Sequence, residues 1–307
     1  MLSNFKIYSL LGIVITTLFF LASCKNDDDF DPSSDLNGTT SDIRAMLRSE
    51  DITQRATIPS DNFFFVSEAG AVVTAAPNSF VSSDGTIYNG NIDFEFSEMY
   101  TKSAILRYGI QTLTLDEQIL ESDGEFHIQA FENSNRLTLA NDRRLNLRVP
   151  NEDPNDLMEL FNGVELWWAP DPNSELTTIE DSLGFVVYEA LLDDMGWVNI
   201  DYFTKFDNVL TDVTVELEEG YTARNTNVFA IFKDRDIVLS MYNFNTENFN
   251  TMLPVGESVY FVAIAAAEDD SFRYAEKRED IETGLIVNLD PRQKSIDDLK
   301  DCLEDLD

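Results

Sequence analysis

The feature that most constrains this chain is a repeated two-residue alternation of apolar and polar side chains. In Ile92-Asp93-Phe94-Glu95-Phe96-Ser97 every second residue is apolar and every intervening one is polar. A helix would scatter these residues around its circumference. A strand sends successive side chains to opposite faces, so the run builds a sheet with one dry and one wet face. Phe126, Ile128 and Ala130 repeat the period, as do Leu145, Leu147 and Val149. Turn-forming pairs separate these runs: Asp84-Gly85, Asn89-Gly90, Asp123-Gly124, Asn133 to Asn135, and Asn141-Asp142. Short half-wet strands joined by hairpin turns at this spacing predict an antiparallel β-sandwich.

A second set of strands is expected further along, at Val209 to Leu217, Val228 to Lys233, Ile237 to Asn243, Ser258 to Ala267, Phe272 to Lys277 and Gly284 to Leu289. The run Val228-Phe229-Ala230-Ile231-Phe232 is apolar on both faces, as a central strand covered on both sides would be;. Near the C-terminus Ile296, Leu299, Leu303 and Leu306 fall at helical spacing after Pro291, with Ser295 as N-cap, and Cys302 reads as a quiet, half-buried thiol;. The expected fold class is therefore mainly β: two antiparallel β-sandwich domains, the second Ig-like or transthyretin-like, with a short C-terminal helix. The expected divisions are 1–23 as an export signal, 24–58 as an acidic flexible tether with at most a transient helical turn at Ser41 to Leu47, and 59–170 as the first sandwich. A connector at 171–183, rich in Asp, Pro and Asn, leads to the second sandwich at 184–294 and the helix at 295–307. As a coil the tether would span roughly 30 Å.

The N-terminus carries the most specific signal. Lys6 precedes an apolar run from Ile7 to Leu21, shorter than the ~20 residues of a membrane-spanning helix, followed by Leu21-Ala22-Ser23-Cys24;. An uncleaved membrane anchor and a soluble exported protein with a chance cysteine are the alternatives. The Leu-Ala-Ser-Cys order resembles the lipobox of bacterial lipoproteins. The resemblance implies cleavage before Cys24, a diacylglyceryl thioether on its sulfur, and an acyl chain such as palmitate on its nitrogen. At about 0.8 kcal/mol per buried CH₂, several such chains hold a protein on a membrane where one would not. The run Lys25-Asn26-Asp27-Asp28-Asp29-Phe30-Asp31 resembles the acidic stretch of Bacteroidetes-type surface lipoproteins, which implies an outer-membrane, cell-surface location. The stretch from Gly70 to Tyr100, with Ala76-Pro77-Asn78-Ser79-Phe80 leading into a strand, resembles a ZU5-like β-domain, a family of interaction or structural modules.

Charge and rare residues narrow the chemistry. Lys and Arg number 21 against 57 Asp and Glu, for a net charge of −36 over 307 residues. That balance argues against a nucleic-acid partner, which needs clustered cations for phosphate contacts. With cysteines only at 24 and 302 and a single histidine, His127, no cofactor and no metal site is expected;. His127 alternates with Phe126 and Ile128, which points it away from the apolar face as a surface histidine. No nucleophile elbow, zinc helix or calcium loop accompanies it, so no catalytic residue is assigned. Carboxylate pairs could in principle run a hydrolase, but with this many acids they arise by chance. Trp167, Trp168 and Trp197 are candidate ligand-binding residues, since an exposed indole can stack on a sugar ring; large aromatics at strand spacing are more often core;. The leading expectation is a non-enzymatic envelope lipoprotein, held by the membrane through Cys24, that binds or scaffolds an envelope protein. A surface glycan-binding protein is the alternative, and a carboxylate-dependent hydrolase stands third. Replacing Cys24 by Ser is expected to abolish incorporation of labelled fatty acid and move the protein out of the membrane fraction; retention of both would exclude lipidation at this residue.

Overall fold

The computed structural model describes residues 39–48, 52–164, 167–180, 184–243, 248–267 and 271–307, and Cys24 with its flanking motif lies outside them. Among the described residues the fold is mainly β, with two sandwiches and three α-helices: α1 (Thr40–Leu47), α2 (Lys102–Tyr108) and α3 (Ile296–Glu304). Among the described residues no helix is long and apolar enough to cross a membrane.

The first sandwich packs sheet I against sheet II. Sheet I runs, in spatial order, Thr53–Pro59, Asn91–Met99, Leu120–Glu132, Trp197–Phe203, Glu159–Val164 and Trp167–Pro170, with Asn135–Arg136 paired to the third of these. Sheet II runs Glu175–Glu180, Val186–Leu192, Leu145–Pro150, Val72–Ala75 and Phe63–Val66. The alternation seen in sequence is realised here: Phe94 and Phe96, then Phe126, Ile128 and Ala130, then Leu145, Leu147 and Val149 all enter one core. Phe63, Phe65, Phe80, Phe94, Phe96 and Phe126 form a continuous ring cluster with centroids 4.9–6.3 Å apart. Edge and tilted contacts of this kind add about 0.5–1.5 kcal/mol per pair beyond burial alone.

The second sandwich packs sheet III (Tyr242–Asn243, Asn248–Pro254, Leu210–Glu216, Ile286–Asn288) against sheet IV (Val238–Ser240, Thr226–Phe232, Ser258–Ala266, Phe272–Asp280, Arg292–Lys294). One pairing, Leu210–Glu216 with Ile286–Asn288, is parallel, so this sandwich departs from a purely antiparallel plan. The two-faced run behaves as its composition requires. Val228, Ala230 and Phe232 point into the core shared with sheet III, whereas Phe229 and Ile231 enter a different apolar layer on the far side. That layer also takes Ile43 and Leu47 of α1, Ile105 and Leu106 of α2, Leu299 and Leu303 of α3, and Phe161 and Trp168 of sheet I. Ser295 caps α3 as expected, its hydroxyl accepting from the Asp298 amide.

Three expectations need correction. The stretch assigned to the tether is folded beyond residue 39: α1 buries Ile43 and Leu47 completely or nearly so, and Thr53–Pro59 is the edge strand of sheet I. The reason is local as well as tertiary. Thr39 and Asp42 form a reciprocal capping box, and Ile43 and Leu47 stand one helical turn apart on the side that meets sheet IV;. The connector at 171–183 does not close the first sandwich. Val186–Leu192 pairs with Leu145–Pro150, and Trp197–Phe203 is a central strand of sheet I. The Asp171-to-Ser174 turn carries the chain from sheet I to sheet II of the same sandwich, with the Asp171 carboxylate accepting from the Asn173 and Ser174 amides at 3.0 and 3.2 Å. Turn chemistry is the same within and between domains, so sequence alone could not assign this turn. Asp123-Gly124, read as a hairpin turn, lies inside the Leu120–Glu132 strand at a register shift opposite Ile200 and Asp201; glycine in a strand interior often marks such a bulge.

The two faces of the sheets give a clean test, because Phe96 of Asn91–Met99 is fully buried among these rings while Phe64 of Phe63–Val66 is 58% exposed. Phe96→Ala is expected to lower unfolding free energy by about 3–5 kcal/mol in urea titrations, and Phe64→Ala to change it by less than about 0.5 kcal/mol.

Candidate functional site

The face of sheet I turned away from the ring cluster was expected to be wet, and along its two central strands it is largely covered. Glu125, His127 and Gln129 alternate with the core residues of their strand, as Trp197, Asn199 and Asp201 do on the neighbouring strand. The bulge at Asp123-Gly124 brings Ser122 opposite Asp201, and Glu125 lies opposite Asn199. Gly124 has φ +152°, and a Cβ there would come within 3.0–3.1 Å of the Phe126 and Tyr100 rings, so the bulge needs glycine;.

The result is a sealed polar cluster. Glu125, Asn199 and Asp201 are fully buried. Ser122 Oγ donates to Asn199 Oδ1 at 3.2 Å, and Asn199 Nδ2 donates to Asp201 Oδ2. Both oxygens of Glu125 and the Oδ1 of Asp201 lack a hydrogen-bond partner among the described residues. Two unsolvated anions at this spacing are costly, and the pair responds by holding protons. Burial first, then the charge of Asp201, raises the Glu125 pKa well above the carboxylate range. Burial pushes Asp201 up to about 8 against the opposing hydrogen bonds of Ser122 and Asn199. Both acids are fully buried, and neither lines either of the two cavities described below.

His127 is half-buried rather than a free surface side chain. Trp197 stacks on it with ring centroids 4.4 Å apart and planes at 22°, and Tyr108 meets the Trp197 ring edge-on at 5.1 Å. Burial, followed by the positive charges of Arg48 and Arg136, lowers its pKa to about 4, so the imidazole is neutral at physiological pH. Together with Arg48, Arg55 and Glu95, His127 lines a small cavity of about 240 Å³. The Arg48 guanidinium lies 4.8 Å from the centre of the Tyr108 ring, and Arg55 pairs with Glu95 at 2.9 Å.

The larger cavity, about 520 Å³, opens where α1, the Gly109-to-Gln111 segment and the start of the Thr226–Phe232 strand converge. Trp167, Arg44, Gln111, Arg224, Asn227 and Ser240 line it, and Val228 and Phe229 supply apolar floor. Two features fix its shape. The Thr40 amide donates to the Arg224 carbonyl at 2.9 Å, tying α1 to the 220–225 loop. Gly109, at φ +74°, ends α2, and a Cβ on it would lie 2.3–2.4 Å from the Arg44 stem, so only glycine lets that side chain pass;.

The three tryptophans therefore have different fates. Trp168 is buried, with its indole N–H donating to the Gln111 carbonyl at 2.7 Å. Trp197 is engaged with His127 and Tyr108, and its Cβ sits where a side chain on Gly163 would have to go. Trp167 is half-buried: it packs partly on the second sandwich's core and also lines the larger cavity. Among the described residues no group of three or more His, Cys, Asp or Glu is placed to hold a metal ion. Sequence reasoning missed Arg44, Arg224 and the Glu125–Asp201 pair. Only Arg44 left a trace, one position from Ile43 in the capped α1 pattern. Compared with known proteins, the chain matches no family model, no curated sequence and no solved structure.

The sealed acids set a pH signature. Unfolded carboxyls release their protons near pH ~4, whereas the folded Asp201 holds its proton up to about 8. The folded state thus binds more protons across that window, and stability falls as pH rises through it. His127 has the opposite sign: its folded pKa lies near 4 against an ordinary 6.5, so its contribution is lost as pH drops between those values. Between pH 6.5 and 8 the acid signature stands alone. Asp201→Asn is expected to flatten the fall in urea midpoint over that range; an unchanged slope would show that Asp201 is ionised in the folded protein.

Proposed function

We propose that this chain is a non-enzymatic, lipid-anchored binding module of the cell envelope, displayed at the outer surface, and that the cavity beside Trp167 receives a sugar ring. The observation that carries the reading is the make-up of that cavity. One indole shares a concave space of about 520 Å³ with the amides of Gln111 and Asn227 and the hydroxyls of Thr226 and Ser240. An indole face matches the C–H face of a pyranose, and amide and hydroxyl groups match its ring of alcohols. A volume of this size suits one or two sugar units.

The membrane anchor in this reading rests on the Leu21-Ala22-Ser23-Cys24 motif and the acidic run after it. Against an enzyme stands the setting of the described acids with raised pKa values: Glu125 and Asp201 are buried together, and neither they nor Asp123 and Asp236 line either cavity. Glycoside hydrolysis needs two carboxyls flanking a bond in an open cleft.

Tryptophan fluorescence of the detergent-solubilised full chain, titrated with a panel of neutral and acidic oligosaccharides, is expected to change on binding of at least one member. Trp167→Phe should weaken that binding about tenfold or more while Trp168 and Trp197 still report a folded protein. No response to any member of the panel would remove the glycan reading.

A further inference from the structure

The larger cavity is unusual for this chain in its charge. Acids outnumber bases 57 to 21 over the whole sequence. Yet among the described residues no Asp or Glu lines this cavity, and two arginines, Arg44 and Arg224, do. Five of the described arginines, Arg55, Arg144, Arg148, Arg235 and Arg292, each pair with a carboxylate. Arg44 and Arg224 form no ion pair among the described residues; Arg44 Nε donates only to the Thr40 carbonyl, at 3.3 Å. Arg44 is also partly desolvated, and burial together with the nearby charge of Arg48 makes its protonated state less comfortable than in water. An uncompensated guanidinium in a partly dry concave site is stabilised by an incoming anion more than by water. The capped helix α1 and the close pass over Gly109 hold the Arg44 stem in place, so little side-chain entropy remains to be lost when an anion arrives;.

We infer that the ligand of this cavity is an acidic saccharide, a sugar ring bearing a carboxylate or a sulfate, with Arg44 and Arg224 holding the anionic group while Trp167 carries the ring. The inference rests on the glycan reading of the same cavity and narrows it. Guanidinium forks match carboxylate and sulfate geometry through paired N–H donors, which an ammonium would not reproduce. Long-range repulsion from a net charge of −36 opposes any anionic ligand, so a local pair of unneutralised cations is the feature that makes one admissible here;.

The test compares three probes on the detergent-solubilised full chain by calorimetric titration: galacturonic-acid oligosaccharides, sulfated galactose oligosaccharides, and neutral galactose oligosaccharides of the same length. At least one acidic series is expected to bind about tenfold or more tightly than the neutral one, with the advantage shrinking as salt rises. Arg44→Gln and Arg224→Gln should each remove most of that advantage, so that acidic and neutral probes bind nearly alike, with Arg44→Lys recovering part of it. Arg224 is exposed, so its variant tests the idea even if substitution of Arg44 disturbs α1. Equal binding of neutral and acidic probes, unaffected by either substitution, would overturn the acidic-ligand inference and leave the glycan reading standing. Failure of all three probes to bind would overturn the inference, and would also end the glycan reading if the wider panel is silent.

Discussion

The molecule is organised around the burial of sheet IV on both faces. Thr226–Phe232 and Ser258–Ala266 carry apolar side chains in both directions, and a sheet so built cannot leave either side in water;. Sheet III covers one face. The other takes three short helices and the Phe161 and Trp168 rings of sheet I, so the second sandwich reaches the first through a shared apolar layer. None of these helices is long enough to persist alone. Their caps set where they begin, but packing on sheet IV is what keeps them. The larger cavity sits at the rim of this layer, where Val228 and Phe229 are reached from α1 and the Trp167–Pro170 strand.

The acids obey two different rules. Most occupy wet strand faces and turns, where water screens them and they keep the chain soluble. Glu125 and Asp201 instead fall on a strand face that helices and Trp168 have covered, and there the favourable state is the neutral one. The same covering explains His127, neutral beneath Trp197. Alternation is thus a statement about which residues share a face. Whether that face is dry depends on what the rest of the chain lays over it.

How far the sequence could be read follows from the range of each interaction. Strands with one polar face, such as Asn91–Met99, and the apolar Thr226–Phe232 strand were legible because their periods are local. Helix α3 was legible because Ser295 and the Ile296, Leu299, Leu303 spacing lie within three turns. Helix α1 is harder to read: its capping box and Ile43–Leu47 pair are present, but an acidic neighbourhood masks a stripe whose partner strand, Ser258–Ala266, lies more than 200 residues away in sheet IV. The strand Asn248–Pro254, with Asn, Thr and Pro interrupting its apolar residues, gave no periodic signal and is held by Leu210–Glu216. For the site, the tryptophans could be named but not sorted, since exposure of an indole is a property of its neighbours.

By itself, then, the sequence determined the secondary-structure class, the aromatic face of sheet I, the two-sided burial of sheet IV and the capped C-terminal helix, because each depends on residues a few positions apart. Only the tertiary structure decided that 186–203 completes the first sandwich, that Glu125 and Asp201 are sealed together, and that Trp167 rather than Trp168 or Trp197 lines the larger cavity with Arg44 and Arg224. Those outcomes turn on which surfaces meet across long loops. A local pattern of polarity carries no record of its distant partner.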